Sequence, residues 1–319
     1  MQLNNIISRS EQWLVIDWPL LLLLVEPEIR RQAPELGAHA HDVFRWLIQT
    51  KLFPEKWIKR IFSIGGIRWK EQHLLLLAYS QGEFTEEVHF VDARSLPPDT
   101  DMEAKMLYED DFCFVLSKPV RMPVHKSSDS QIRTLDTMAA LYSLRSEHPF
   151  PVRHIHRLDG DTTGVVLYSK NDWAQLRLDE AMREGQIERH YIAAVHGQLS
   201  TMEGEINKPI AKDRFVAGKR RVAAHGDPSI TLYRVLQVKS SYSIVALQLL
   251  TGRTHQIRVH MSAIGHPLLG DILYGGKQMK GISHQALHAY KLIFPHPVLG
   301  NQIIVEADPP DWLEKNEIN

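Results

Sequence analysis

Two carboxylates, Asp159 and Asp161, stand one residue apart in HIHRLDGDTTGVVLYSK, the stretch from His154 to Lys170. Three chemistries use acids at this spacing. In a calcium loop Asp159, Asp161, Thr163 and Gly164 would fill positions one, three, five and six, but position twelve, which needs a bidentate acid, is Lys170. A lysine there repels the ion and excludes the loop. A phosphoryl-accepting DxDxT site fits the same residues, yet it places its first acid at the end of a buried parallel strand, which reads as a continuous apolar run. Here the approach is Arg153, His154, Ile155, His156, Arg157, Leu158, and no later acid pair for magnesium is evident. The third chemistry uses one carboxylate without a metal, either as a nucleophile or as a base. His154 and His156 have HxH spacing, but with 17 histidines in the chain and no third ligand at an intelligible distance, no metal is expected.

The 319 residues suggest two domains at the usual length of roughly 100 to 200 residues each. With 44% apolar and 24% charged residues, the composition is that of a globular chain rather than a disordered or fibrous one. The single cysteine, Cys113, excludes an intramolecular disulfide framework and fits a reducing, cytoplasmic setting. The apolar run from Trp13 to Val25 contains Asp17 and Pro19 and falls short of the roughly 20 residues of a bilayer helix. It lacks a signal peptide's basic flank and small cleavage-site residues, and reads as buried strand and turn, so no membrane is expected.

Net charge is −1, so charge must be read locally. Arg45 to Lys70 holds seven basic residues against one acid, and Lys208 to Arg221 six against one. Either run alone is ordinarily a solvated face. Two in a neutral chain, one interleaved with Trp46, Trp57 and Trp69, point to a polyanion. Lys59, Arg60, Arg68 and Lys70 in the first run and Lys219, Arg220 and Arg221 in the second are the candidates for contacting it.

The elements that must position Asp159 are legible in outline. Asp92 to Asp101, with Pro97-Pro98, reads as a linker between a module over 1–91 and a domain over 102–319. In the module, Val43, Trp46, Leu47 and then Trp57, Ile58, Ile61 recur at helical spacing with Pro54 between two helices. SIGGIRWKEQHLLLLAY follows as a Gly-Gly turn between short strands, giving a small α+β module. Downstream, FCFVLSK, GVVLYSK, YIAAVHGQL and YSIVALQLL read as strands. Asn171 caps a helix that presents Ala174, Leu178, Ala181 and Met182 on one face and ends at Gly185. Thr254 is placed to cap another, with Ile257, Met261 and Ile264 along a stripe that Gln256, Arg258 and His260 cannot all share. Strands with interspersed helices give an α+β class.

The order of these motifs resembles one family. HRLDGDTTGVVLYSKN is similar to the signature of the RluA-type RNA pseudouridine synthases, which is HRLD, two variable residues, then Thr, Ser, Gly and apolar residues. LYEDDFCFVLSKPVRMPVH is similar to that family's opening strand and Lys-Pro motif, ERHYIAAVHG to its tyrosine motif, and GRTHQIRVHMSAIGHPLLGDILYGG to its carboxy-terminal motif, with ALHAYKLIFPHP following. The resemblance runs from about Met102 to Trp312. It implies a pseudouridine synthase fold, a central mixed, mostly antiparallel sheet flanked by helices and loops, and a cofactor-free isomerase of uridine in ribosomal or transfer RNA that acts as a monomer. Residue by residue it implies Asp159 as the catalytic carboxylate and Asp161 as a variable position. Tyr191 stacks at the target base, Arg258 pairs with Asp159, Ile257 lines the site, and Arg157 fills the space the uridine leaves. Thr163, where the Asp159 loop meets its strand, is counted with the substrate-binding residues. More faintly, IKRIFSIGGIRWK resembles an RNA-binding module named for a small-subunit ribosomal protein, departing from it at Arg68-Trp69-Lys70 and by a tail of about 40 residues before the first helix.

The implied chemistry suits these residue types. Pseudouridine formation breaks the C1′–N1 bond, turns the uracil and rejoins it through C5, so one carboxylate suffices, as nucleophile or as base for the 2′ proton. An arginine beside a carboxylate in an apolar pocket favours its ionised form. Extruding a base costs a few kcal/mol of stacking, which an inserted Arg and a stacking Tyr offset in part. Two other readings set the tests: an RNA-binding protein that has lost catalysis, against which intact Asp159, Tyr191 and Arg258 argue, and a magnesium-dependent phosphatase.

Overall fold

The computed structural model describes residues 6–79, 83–127, 133–279, 281–282 and 284–313. The first part of the chain forms strands β1 (Ile7–Ser10) and β2 (Trp13–Asp17), helices α1 (Trp18–Leu24), α2 (Pro27–Arg30), α3 (Ala40–Thr50) and α4 (Glu55–Ser63), then strands β3 (Ile67–Lys70) and β4 (His73–Leu77). The strands make one antiparallel sheet in the order β1-β2-β4-β3. Alternation in WLVID and HLLLL turns Leu14, Ile16, Leu74 and Leu76 inward.

Three expectations change here. The run from Trp13 to Val25 is a strand followed by a helix, because Asp17 accepts from the Leu20 amide at 2.9 Å and Pro19 lies in the first turn, an N-terminal cap in the middle of the apolar run. The described residues before α3 are therefore structured, and β1 and β2 widen the sheet. Gly65-Gly66 joins α4 to β3, while the hairpin turns at Glu71-Gln72, with Glu71 at φ 54. Finally, the tryptophans of the basic run are core. Trp46 and Trp57 are buried, Trp69 is half-buried, and Trp18 lies 4.8 Å from Trp46 and 4.9 Å from Trp69 between ring centroids.

The rest of the chain forms α5 (Val88–Ser95), β5 (Lys105–Glu109), β6 (Cys113–Lys118), α6 (Leu135–Arg145), β7 (Arg153–His154), β8 (Thr163–Ser169), α7 (Asp172–Arg183), β9 (Glu188–His196) and β10 (Glu203–Asn207). It continues with β11 (Ile210–Lys212), β12 (Arg220–Val222), β13 (Ile230–Val238), β14 (Tyr242–Leu249), α8 (Gln256–Ala263), β15 (Leu287–Pro295) and β16 (Gln302–Glu306). Its main sheet runs β10-β13-β14-β9-β15-β8-β6-β5, with β16 on β15 and β7 on β8. Only the β8–β15 pair is parallel, which is the mixed, mostly antiparallel sheet expected. At that pair Gly164 has φ +112, and a Cβ there would stand 2.1 Å from the Ala289 carbonyl oxygen, so the two backbones meet only over glycine.

The expected linker begins too early. Asp92 to Ser95 close α5, whose Phe90 and Ala93 join the main core, and Asp92 pairs with Lys126 at 3.1 Å. Pro97-Pro98 stops this helix rather than marking a segment already free of it. The first module docks on the main domain through α4 and α7. Trp57 stacks on Trp173 with centroids 5.1 Å apart, Arg60 pairs with Asp172, and Arg177 donates to the Leu52 carbonyl at 2.9 Å.

Candidate active site

Asp159 sits in the loop between β7 and β8, at a cleft of ≈ 800 Å³. The loop is short and leaves a strand that is buried along nearly all its length, so its start is fixed by β8. Lys118, at the end of β6, holds its other side. The buried Lys118 ammonium donates to the carbonyls of Pro119 at 2.9 Å, Met122 at 2.7 Å and Gly160 at 2.8 Å, the last being the residue after Asp159. Burial pushes this ammonium down to about 7, against the pull of Asp161 and Asp159. The Thr162 amide donates to the Asp159 carbonyl at 3.0 Å, and the Thr162 hydroxyl accepts from Gln285 at 2.6 Å.

From the opposite side α8 delivers Arg258. Its Nη1 donates to Asp159 Oδ2 at 2.9 Å, while Nε and Nη2 donate to the two oxygens of Asp271 at 2.7 and 2.9 Å. One guanidinium thus bridges two carboxylates, forked on the nearly solvent-free Asp271 and single on Asp159. Burial opposes the charge on Arg258, but the Asp271 hydrogen bonds and the Asp159 charge outweigh it and raise its pKa. The Tyr274 ring lies under the guanidinium, 4.9 Å from its carbon.

The Tyr274 hydroxyl accepts from the Arg220 amide at 2.8 Å and lies 2.8 Å from His255 Nδ1. The other ring nitrogen of His255, Nε2, lies 3.8 Å from Asp159 Oδ2. Burial lowers the His255 pKa, Asp159 raises it and Arg258 lowers it, with the net effect downward. Tyr191, on β9, is buried and lines the same cleft, and burial raises its pKa. Arg157 stands exposed at the rim, 2.9 Å from His125 Nε2.

A family model described as RNA pseudouridylate synthase matches residues 112–263, which include Asp159, Tyr191 and Arg258. An uncharacterised RNA pseudouridine synthase of Bacillus subtilis is 40% identical over 210 residues, 65% of this chain and 69% of the relative. The chain belongs to the RNA pseudouridine synthase family. The ribosomal large subunit pseudouridine synthase D of Vibrio parahaemolyticus is 36% identical over 245 residues, 72% of this chain and 73% of the relative. The solved human RNA pseudouridylate synthase domain containing 1 superposes with a TM-score of 0.56 at 25% identity, covering 70% of this chain and 89% of the other.

In the synthase, several expected site residues meet and others do not. Arg157, Asp159 and Tyr191 share the cleft, and Arg258 reaches it through Asp159. Thr163 is not among the lining residues, and its hydroxyl is bonded to His288 at 2.7 Å, across the parallel strand pair. Ile257 packs in the main core. Helix α8 is buried around most of its circumference, so Gln256, Arg258 and His260 are inside along with the apolar stripe, each held by polar partners. Its cap is His255 at φ 58 rather than Thr254; Gln256 Oε1 takes the Arg253 amide at 3.0 Å and the Thr251 hydroxyl at 2.8 Å.

Among the basic candidates, Lys59 pairs with Glu55 at 2.6 Å and Arg60 with Asp172, whereas Arg68 lies over the Trp13 ring at 5.0 Å and Lys70 is exposed. Lys219 and Arg220 reach Tyr274, and so the Arg258 cluster. Asp271 and Tyr274 were missed by sequence reasoning although both stand in GDILYGG, since a motif does not say which residue it serves. His154 and His156 are engaged apart, His154 with Asp136 at 3.1 Å and His156 with the Leu167 amide at 3.3 Å; burial pushes His156 down to about 3.

Proposed function

We propose that the synthase isomerises uridine in ribosomal or transfer RNA without a cofactor, in the cytoplasm, with Asp159 as the reacting carboxylate. The observation that carries this reading is the Asp159–Arg258–Asp271 bridge at the floor of a cleft that Tyr191 lines. Arg258 and His255 both address Asp159 Oδ2, which leaves Oδ1 as the oxygen for substrate. A carboxylate oxygen there serves either route, bonding to C1′ or taking the 2′ proton, and each releases N1 while the closed floor retains the uracil. Tyr191 offers its ring to the detached base, and Arg157, exposed at the rim, occupies the gap in the RNA stack. The single cysteine is buried, in keeping with a reducing compartment. Arg68 and Lys70 on the first module, with Lys219 and Arg220 beside Tyr274 and Arg221 next on β12, supply backbone contacts that carry charge rather than sequence.

The test is tritium release from 5-tritiated uridine RNA in the presence of a chelator. Release by the wild type is expected with the chelator present, and release that vanishes with EDTA would contradict a cofactor-free reaction. Mapping carbodiimide-modified pseudouridines in total RNA from cells with and without the gene then names the target.

A further inference from the structure

Arg189 has no role in the reaction as derived above, yet it lines the same cleft as Asp159. It lies two residues before Tyr191 on β9, so both side chains project from one face of the strand. Its Nε is buried without a hydrogen-bond partner. Across from it is Gly252, where a Cβ would stand 2.6 Å from Arg189 Nη1. The backbone at Gly252 thus gives the guanidinium its seat, and any larger residue would displace it. The Nε is shut off from solvent, so it is the Nη end of this half-buried guanidinium, in the wall of the cleft, that an entering acceptor would meet.

The surrounding charge says what kind. Among the described residues, Arg157, Arg183, Arg189 and Arg253 line the cleft against one carboxylate, Asp159, which is already bonded to Arg258. His156, the buried neighbour whose pKa Arg189 helps to lower, adds no positive charge, and the hydrogen bonds of Thr251 go to Gln256 and the Ile230 amide. The excess is cationic, and a planar fork of N–H groups matches phosphate geometry.

We propose that Arg189, seated over Gly252, is the subsite for a phosphodiester group of the RNA strand that enters the cleft, adjacent to the uridine held over Asp159. This rests on the pseudouridine synthase reading for the identity of the strand, while its test does not depend on isomerisation. Arg189 then anchors the backbone on the Tyr191 side as the base turns, so the sugar stays at Asp159 after the C1′–N1 bond opens.

The experiment measures the affinity of fluorescein-labelled single-stranded oligouridylate for the full chain as a function of salt. In Arg189→Met we expect affinity at low salt to fall about tenfold or more, and the slope of log affinity against log salt to become shallower by about 0.7, one phosphate's worth for a single strand. Gly252→Ala, which keeps the guanidinium but pushes it from its seat, is expected to shift the same way, and Arg189→Lys to keep the slope while losing part of the affinity. Melting temperatures check that each variant folds, and the Gly252 variant carries the test if Arg189→Met does not. An unchanged slope in the variants would overturn the subsite, as would lost affinity at unchanged slope, the mark of a base-edge contact, or a wild type with no salt-dependent binding. Tritium release measured in parallel tests the isomerase reading by itself, and the slope decides the subsite whichever way that activity falls.

Discussion

Arg60 and Arg189 border the same domain, and each lies near aromatic side chains, but their surroundings differ. Arg60 is paired with Asp172 beside the Trp57–Trp173 stack, where the first module docks. Arg189 keeps an unpartnered Nε and faces the cleft of Asp159. In the docking region charged and hydroxyl groups meet a complement from the other side, Arg177 the Leu52 carbonyl and Tyr79 the Asp111 carbonyl at 2.7 Å, although the Trp173 indole N–H is buried without a partner among the described residues. Among the residues described at the cleft the cations outnumber the acids. A count of charges along the chain weighs both regions alike, whereas only the second has charge available to a polyanion.

The comparison can be broken at several places. Arg258→Met should have the largest effect, because it leaves Asp271 buried and unpaired; a loss on the order of 3 to 5 kcal/mol in urea unfolding is expected, together with the loss of tritium release. Trp173→Ala removes a fully buried ring from the docking side, and a loss of about 3 kcal/mol should appear in the same melts, with RNA affinity changed little in the folded fraction.

Asp110 tests the floor under the docked module by pH. Burial by itself would raise its pKa, but hydrogen bonds from His296 and Tyr108 and from the amides of Cys113 and Phe112 lower it to about 2. Its folded-state pKa is therefore below the ordinary value of 3.8, so its stabilisation is present above pH 3.8 and lost as pH falls toward 2. Asp110→Asn should lower stability at neutral pH by at most roughly 2 kcal/mol and flatten the acid limb of stability against pH. Arg60→Ala is the smallest. Its pair is partly exposed, so a change within about 1 kcal/mol is expected, with the salt slope of RNA binding unaltered. A slope that became shallower would return Arg60 to the RNA surface and erase the contrast with Arg189.

The site was more legible in the sequence than its frame. HRLD, the tyrosine motif and HQIRVH singled out Asp159, Tyr191 and Arg258, which meet at one cleft because the spacing of a motif survives into geometry when short loops and paired strands carry it. Asp271, Tyr274 and Arg189 stood within the quoted motifs, but the roles of Asp271 and Tyr274 depend on how the turn after α8 folds back against Arg258, and the place of Arg189 on the register of β9 against β14. The first module was misread where local and tertiary signals conflict. Five leucines after Trp13 to Asp17 suit strand or helix equally, and one capping aspartate decided for helix. Trp46, Trp57 and Trp69 look like stacking platforms in a basic run, yet their burial serves the core. Thr163 lies one residue from the loop it was expected to serve, and in a strand one residue turns a side chain to the other face.

The central claim is that one of two neighbouring acids performs the reaction, since Asp159 alone is bridged through Arg258 to Asp271. Tritium release from 5-tritiated uridine RNA should be compared for wild type, Asp159→Asn and Asp161→Ala, each with its RNA affinity and melting temperature. The account predicts that Asp159→Asn is inactive with the fold and RNA affinity nearly intact, while Asp161→Ala keeps substantial activity. An active Asp159→Asn, or an Asp161→Ala as inactive as it, would contradict the account.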